Sequence, residues 1–261
     1  MSDTSWATTP ENLSAETIRA YRQQGFVHIP GIISRQEAED FRAAALDVSR
    51  RMKSHHSGPV FTQLVNAWRE DEKIKQLTLH PNVAALAECL AGMPLRLWHD
   101  HILIKQPHNN APTEFHQDLP FWPHSNSQHT LSAWIALVDV PVERGCMTFI
   151  PGSQHIRDLE AQNLRDAHDL FDKAPDLAWE PRITLPLHAG DCTFHHGLCA
   201  HMATPNTTDE PRVAHVIIFM DANTTYRTIE HVVTDPLQLR AGQPLDGELF
   251  PRVAEFSTLR Q

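Results

Sequence analysis

The chain has 261 residues, 41% hydrophobic and 21% charged, a length that one β-barrel domain with helical decoration can fill around a sizeable core. Its net charge of −10, with no run of Lys and Arg, excludes a surface built to track nucleic-acid phosphates. No apolar stretch nears the roughly 18 residues of a membrane span, and Met1–Asn12 is polar with no apolar signal core, so a cytoplasmic protein acting on a small molecule is expected.

In chain order, Ser14 is placed to cap a helix running through Gln24 and ended by Gly25; Phe26–Ile29 then reads as a short strand. Ser34 and Glu37 form a capping box, and Ala38, Phe41, Ala45 and Val48 follow at helical spacing as a core-facing stripe. A further helix is expected from Asn82 to Leu90, stopped by Gly92 and Pro94. From Leu95 the pattern changes to strands and turns, with strands expected at Leu95–Gln106, Thr130–Val140, Met147–Ile150, Ile183–Leu187, Asp191–His195 and Arg212–Asp221. Many strands without interleaved helices predict a mainly β sandwich or barrel. Asp158–Asp176 is charged and reads as a surface insertion in the position of a lid. No repeat, low-complexity tract or linker divides the chain, so one domain over 1–261 is expected. Its helical part spans about 14–94 and its β core about 95–235.

Eighteen histidines make a metal site plausible and supply many decoys; the four cysteines lie far apart with no C-x-x-C pair and are expected as reduced core thiols. His116-Gln117-Asp118 is the one His-x-Asp in the chain. Two residues apart on a strand, the imidazole and carboxylate face the same way and can converge on one ion. Two His and one carboxylate on a face of an octahedral ion leave three positions open, the arrangement of non-haem Fe(II) oxygenases. The third ligand has three candidates, His195, His196 and His201.

Further along, Gly190-Asp191, His195-His196-Gly197, His201, Pro205-Asn206 and Pro211-Arg212 lead into an apolar strand. Upstream stand Trp98-His99-Asp100, Lys105, Trp122-Pro123, Ser132–Asp139, Gly145 and Pro151-Gly152-Ser153. Together these resemble the phytanoyl-CoA dioxygenase family of Fe(II)/2-oxoglutarate oxygenases. The resemblance implies a double-stranded β-helix, the jelly-roll of cupin type, with flanking helices. It implies Fe(II), 2-oxoglutarate and O2, with His116, Asp118 and His201 on the metal. Arg212, eleven residues beyond His201, would take the far carboxylate of 2-oxoglutarate, a task suited to a planar guanidinium. Lys105 is a second candidate for that carboxylate, or an exposed strand-end lysine. Gln154 departs from the family, which carries His after Pro-Gly-Ser, at a position the resemblance makes structural.

Trp122 is expected to line the substrate pocket and Trp134 to lie in the core. His215 is either a core histidine or, the preferred reading, a pocket wall. In His99-Asp100-His101 the carboxylate must face away from both imidazoles on a strand, so that triplet is assigned to packing or to support of the site. His55, His56 and His80 are expected in solvent. The function expected is hydroxylation of a small-molecule secondary metabolite, with release of succinate and CO2. Halogenation is not expected, because related iron halogenases lack the metal carboxylate that Asp118 supplies here. Two other classes use the same residues: a zinc hydrolase, which would have little need of Arg212, and a non-catalytic metal- or ligand-binding jelly-roll.

Overall fold

The computed structural model describes residues 6–54, 56–57 and 60–253. Ser14 caps α1 (Ala15–Gln24) by accepting from the amide of Thr17, and the helix ends at Gly25, φ 83°, a left-handed conformation that a side chain would strain. Strand β1 is Phe26–Ile29. The capping box of Ser34 and Glu37 opens α2 (Arg35–Arg51), whose buried residues are the expected Ala38, Phe41, Ala45 and Val48. The short strands β2 (His56–Ser57) and β3 (Thr62–Val65) and the helix α3 (Glu72–Thr78) had no sequence expectation. Each is too short to show a hydrophobic period. Helix α4 (Pro81–Ala91) closes at Gly92, as expected.

The strands that follow are β4 (Leu95–Lys105), β5 (Thr113–His116), β6 (His124–Ser125), β7 (Thr130–Ala136), β8 (Met147–Phe149), β9 (Ile183–Leu185), β10 (Cys192–His196), β11 (His201–Ala203), β12 (Arg212–Asp221) and β13 (Thr225–Tyr226). They build a seven-stranded sheet, β1-β10-β7-β12-β4-β3-β2, and a four-stranded sheet, β5-β11-β8-β9. The pairings are antiparallel throughout. This is the mainly β double-stranded β-helix with flanking helices.

Strand alternation gives the large sheet two apolar faces. Val213, Ile217 and Phe219 pack with Phe41, Val83 and Leu86 under the helices. Trp134, Val216 and Ile218 face Met147 and Phe149 of the small sheet. The site opens between the sheets. A bulge in β4 shapes it: Ile218 pairs with His99 and Phe219 with Leu97, leaving Trp98 as the extra residue. One more residue resets the alternation, so Trp98 joins the inter-sheet cluster while His99 and His101 line the cavity beside it.

Asp158–Asp176 is more embedded than a surface insertion. It contains α5 (Asp169–Lys173), and Leu170 and Ala174 pack against Phe115 and Ile150. His80, expected in solvent, is 1% exposed, edge-on to Trp6 and 3.9 Å from Glu37. His55 and the side chain of His56 lie outside the described residues. All four cysteines are free, and among the described residues no helix is long and apolar enough to cross a membrane.

Candidate metal centre and its cavity

Strands β5 and β11 run antiparallel with His116 directly opposite His201, which brings their rings to 4.3 Å between centroids. Each ring donates its Nδ1–H to the carbonyl two residues before it, His116 to Glu114 (2.7 Å) and His201 to Cys199 (2.9 Å). Both Nε2 lone pairs are thereby free to bind a metal. Asp118 Oδ1 lies 3.5 Å from His116 Nε2 and 3.8 Å from His201 Nε2, and the three ligand atoms fall within 4.8 Å of one another. Two imidazole nitrogens and one carboxylate oxygen suit Fe(II).

The way Asp118 reaches this point differs from the expectation. Strand β5 stops at His116; Asp118 has φ −74° and ψ −43° and opens a turn of 3-10 helix. Side-chain alternation therefore does not aim it. The turn is pinned by Gln117, fully buried, whose amide nitrogen donates to the carbonyls of Leu198 (2.8 Å) and Ile156 (2.9 Å). Gln162, from the expected lid segment, accepts from the Gln117 backbone N–H at 2.7 Å. Neither glutamine was singled out from the sequence, which holds no signal for them.

The other oxygen of Asp118 is held from behind. Ser132 donates to Oδ2 at 3.2 Å, and His195 Nε2 lies 3.4 Å from the same atom. His195 thus faces the oxygen turned away from His116 and His201, while His196 accepts from the Leu198 amide (3.0 Å) against the His129 ring. Burial would raise the Asp118 pKa, but His201, His116 and His195 around it hold the carboxyl well below its ordinary value. Burial first, then the neighbouring His116, pushes His201 down to about 3, so it is neutral at physiological pH and ready to ligate.

Arg212 lies on the same cavity wall, 1% exposed, with its guanidinium 5.2 Å above the Trp134 ring. Its Nε and Nη1 have no hydrogen-bond partner, and burial lowers its pKa to about 10, still charged at neutral pH. An enclosed cation with unspent donors is the complement of a carboxylate, and 2-oxoglutarate fits that requirement. Trp134 is therefore cavity wall as well as core.

Two expectations are corrected. Lys105 pairs across from Arg212 in the sheet but is fully buried, and its ammonium donates to the carbonyls of Thr204 (2.9 Å) and Ala111 (3.1 Å). Burial first, then Arg212 beside it, lowers its pKa to about 7. With its donors used on backbone, it braces the wall behind Arg212 and is not a second anchor. His215 is not a pocket wall: it points to the helical side of the sheet, bonds Thr78 at 2.9 Å and lies 3.5 Å from Asp100. It stands three positions after Arg212, an odd offset, so the strand turns the two side chains to opposite faces.

Trp122 lines the cavity as expected. Gln154 is structural, donating to the carbonyls of Arg22 and Gln23 at the end of α1. The cavity, about 380 Å³, is further walled by Phe61, Phe121, His99, His101 and His231.

A jelly-roll holding two histidines and an aspartate beside a buried arginine belongs to the class of 2-oxoglutarate-dependent iron oxygenases. The family model of the phytanoyl-CoA dioxygenases (PhyH) matches residues 21–214, and the chain belongs to that family. It is an oxidoreductase whose cofactors are Fe(II), 2-oxoglutarate and O2. It is 42% identical to the non-heme alpha ketoglutarate dependent carbocyclase SnoK from nogalamycin biosynthesis, with TM-score 0.85 over 94% of this chain and 98% of that one. It is 38% identical to the epimerase SnoN, solved with Fe3+, alpha ketoglutarate and nogalamycin RO, with TM-score 0.83 over 91% and 97%. L-proline trans-4-hydroxylase of Streptomyces griseoviridis is 28% identical over 88% of this chain and 87% of its own length.

Proposed function

We propose that the chain oxidises a C–H bond of a small-molecule secondary metabolite in the cytoplasm, with its helical and β parts working as one catalytic unit. His116, Asp118 and His201 hold the metal, and Arg212 holds the far carboxylate of 2-oxoglutarate. The observation that carries this reading is the buried, unpaired guanidinium beside three convergent ligand atoms. Fe(II) with 2-oxoglutarate supplies the oxidising power, the co-substrate and O2 leaving as succinate and CO2 with one oxygen available to the substrate.

The chain's own part is geometric. Nδ1–H bonds fix the two imidazoles, Ser132 and His195 fix Asp118, and the turn through Gln117 keeps all three in register. Asp118 keeps an anionic ligand at the position a halide would need, which favours oxygenation over halogenation. A zinc hydrolase or a non-catalytic module would have no use for the enclosed Arg212.

Hydroxylation is the first outcome proposed. The carbocyclase and the epimerase among the similar structures favour a second, in which the C–H bond is opened but the remaining oxygen leaves as water. That oxygen takes up the two hydrogens lost in ring closure or, in epimerisation, two electrons and two protons from an added reductant such as ascorbate. Succinate release dependent on Fe(II) and 2-oxoglutarate, with product mass read alongside, tests both. Gain of one oxygen supports hydroxylation, loss of two hydrogens ring closure, and unchanged mass with altered configuration epimerisation. Absence of Fe(II)-dependent succinate across a metabolite panel would overturn the reading.

A further inference from the structure

We propose that His101 and His231 form a substrate-recognition face that reads the oxygens of an uncharged, polyoxygenated aromatic ring system. His101 Nδ1 accepts from the Gln63 side-chain amide at 2.9 Å, so its proton resides on Nε2. His231 Nδ1 accepts from the Val233 backbone N–H at 3.3 Å, which likewise leaves an Nε2–H. Asp235 fixes that turn by accepting from the His231 amide at 2.9 Å. Both rings line the cavity, and neither Nε2–H is spent on a described protein group. Between them stands His99, its ring 5.5 Å from each. It gives Nδ1–H to the Asp100 carbonyl and keeps an unpartnered Nε2 lone pair. Two donors and one acceptor of fixed tautomer thus occupy one patch of wall, none of them a metal ligand. Burial keeps His101 and His231 neutral, each with a pKa pushed down to about 4.

Charge narrows the ligand. Among the described residues, the charged groups lining the cavity are Asp118, Arg212 and, at the exposed rim, Glu230. With Asp118 on the metal and Arg212 on 2-oxoglutarate, an anionic substrate would find no cation to pair with and one carboxylate to repel it. Neutral N–H donors suit ketone, ether and hydroxyl oxygens. Phe61, Phe121 and Trp122 supply flat apolar walls for a ring. Acyl-CoA esters and free amino acids are disfavoured by the same argument. The inference rests on the reading that 2-oxoglutarate takes Arg212.

The test uses the full chain loaded with Mn(II) and 2-oxoglutarate, which blocks turnover. Binding of 1,4-dihydroxyanthraquinone, palmitoyl-CoA and L-proline is followed by tryptophan fluorescence and calorimetry. The expected result is saturable binding of the quinone and weaker binding of palmitoyl-CoA, a phosphate-bearing thioester, and of zwitterionic proline. His101→Phe and His231→Phe each weaken the quinone roughly 3- to 10-fold, the loss of one neutral hydrogen bond. His231→Gln keeps an N–H donor and retains affinity, and 2-oxoglutarate binding is unchanged in all three variants. Melting curves show whether each variant is folded; if a Phe variant is not, the comparison of His231→Gln with His231→Ala decides. Quinone binding that is absent, or equal in wild type and the donor-less variants, or weaker than that of palmitoyl-CoA or proline, overturns the proposal. Failure of Mn(II) and 2-oxoglutarate to bind would instead remove the functional reading, while the quinone comparisons still judge this face.

Discussion

At Arg212 a guanidinium is enclosed with two nitrogens unpaired, an arrangement that costs free energy until a ligand supplies the missing anion. Arg212→Lys keeps the charge but loses the two-pronged geometry. It should weaken 2-oxoglutarate by about 2 kcal/mol, roughly 30-fold, in calorimetric titration of the Mn(II) protein. An unchanged affinity would move the anchor elsewhere. Ser132 gives a finer test. Its hydroxyl donates to the Asp118 oxygen turned from His116 and His201, so Ser132→Ala should lower metal affinity about 10-fold in an equilibrium competition with a chelator, with the fold intact. Affinity equal to wild type would show that Asp118 is held by other means. Which residue types form the site was legible in the sequence, because His-x-Asp occurs once and Arg212 follows His201 at a telling distance. The turn that aims Asp118 was not, since its anchors Gln117 and Gln162 come from segments with no local pattern. The misplacement of His215 was avoidable: the parity of its spacing from Arg212 already assigns it to the other face.

Elements with strong local signals, α1 and the long strands β4 and β12, were readable to within a residue or so, as were the start and the buried stripe of α2. Among those of two to four residues, β1, β8 and β9 were expected, but β5 and β11, which present His116 and His201, were given no range. Their existence depends on pairing with each other. In β4 the bulge at Trp98 sorts the strand's polar residues, with His99 and His101 toward the cavity and Asp100 away. Asp100 accepts from the Trp68 amide (3.0 Å) and the Thr78 hydroxyl (3.1 Å), fully buried. Burial raises its pKa to about 8 despite these bonds. The unfolded chain titrates this group near its ordinary value of 3.8, so across the interval from 3.8 to about 8 the folded state holds the extra proton. The associated stability is present in full at the acid end and is lost as pH rises to 8. Asp100→Asn cannot ionise and should flatten that slope, leaving the variant more stable than wild type by at least about 1 kcal/mol at pH 8.5. Urea unfolding of both proteins at pH 5 and 8.5 checks this; parallel pH dependence would contradict it.

Across the whole molecule, the sheets divide the labour. The large sheet rests one face on the helices and gives the other to the cavity, while the small sheet brings in His116 and His201. The segment Asp158–Asp176 links to the centre through Gln162 and to the cavity through Leu164. Gln162→Ala should therefore reduce metal affinity without unfolding the protein, measured by the same chelator competition. Unaltered affinity would reduce the segment to packing. The general architecture was legible because runs of strands without interleaved helices leave few alternatives. The cavity was not, because its walls come from strands far apart in sequence and their meeting depends on register.

The most direct test of the central claim is an anaerobic crystal structure of the protein with Fe(II) and 2-oxoglutarate, the iron located by its anomalous signal. The expected result is one iron bound by His116 Nε2, Asp118 Oδ1 and His201 Nε2, with the far carboxylate of 2-oxoglutarate on Arg212. Iron held instead by His195, or by His99, His101 and His231, or a co-substrate carboxylate away from Arg212, would contradict it.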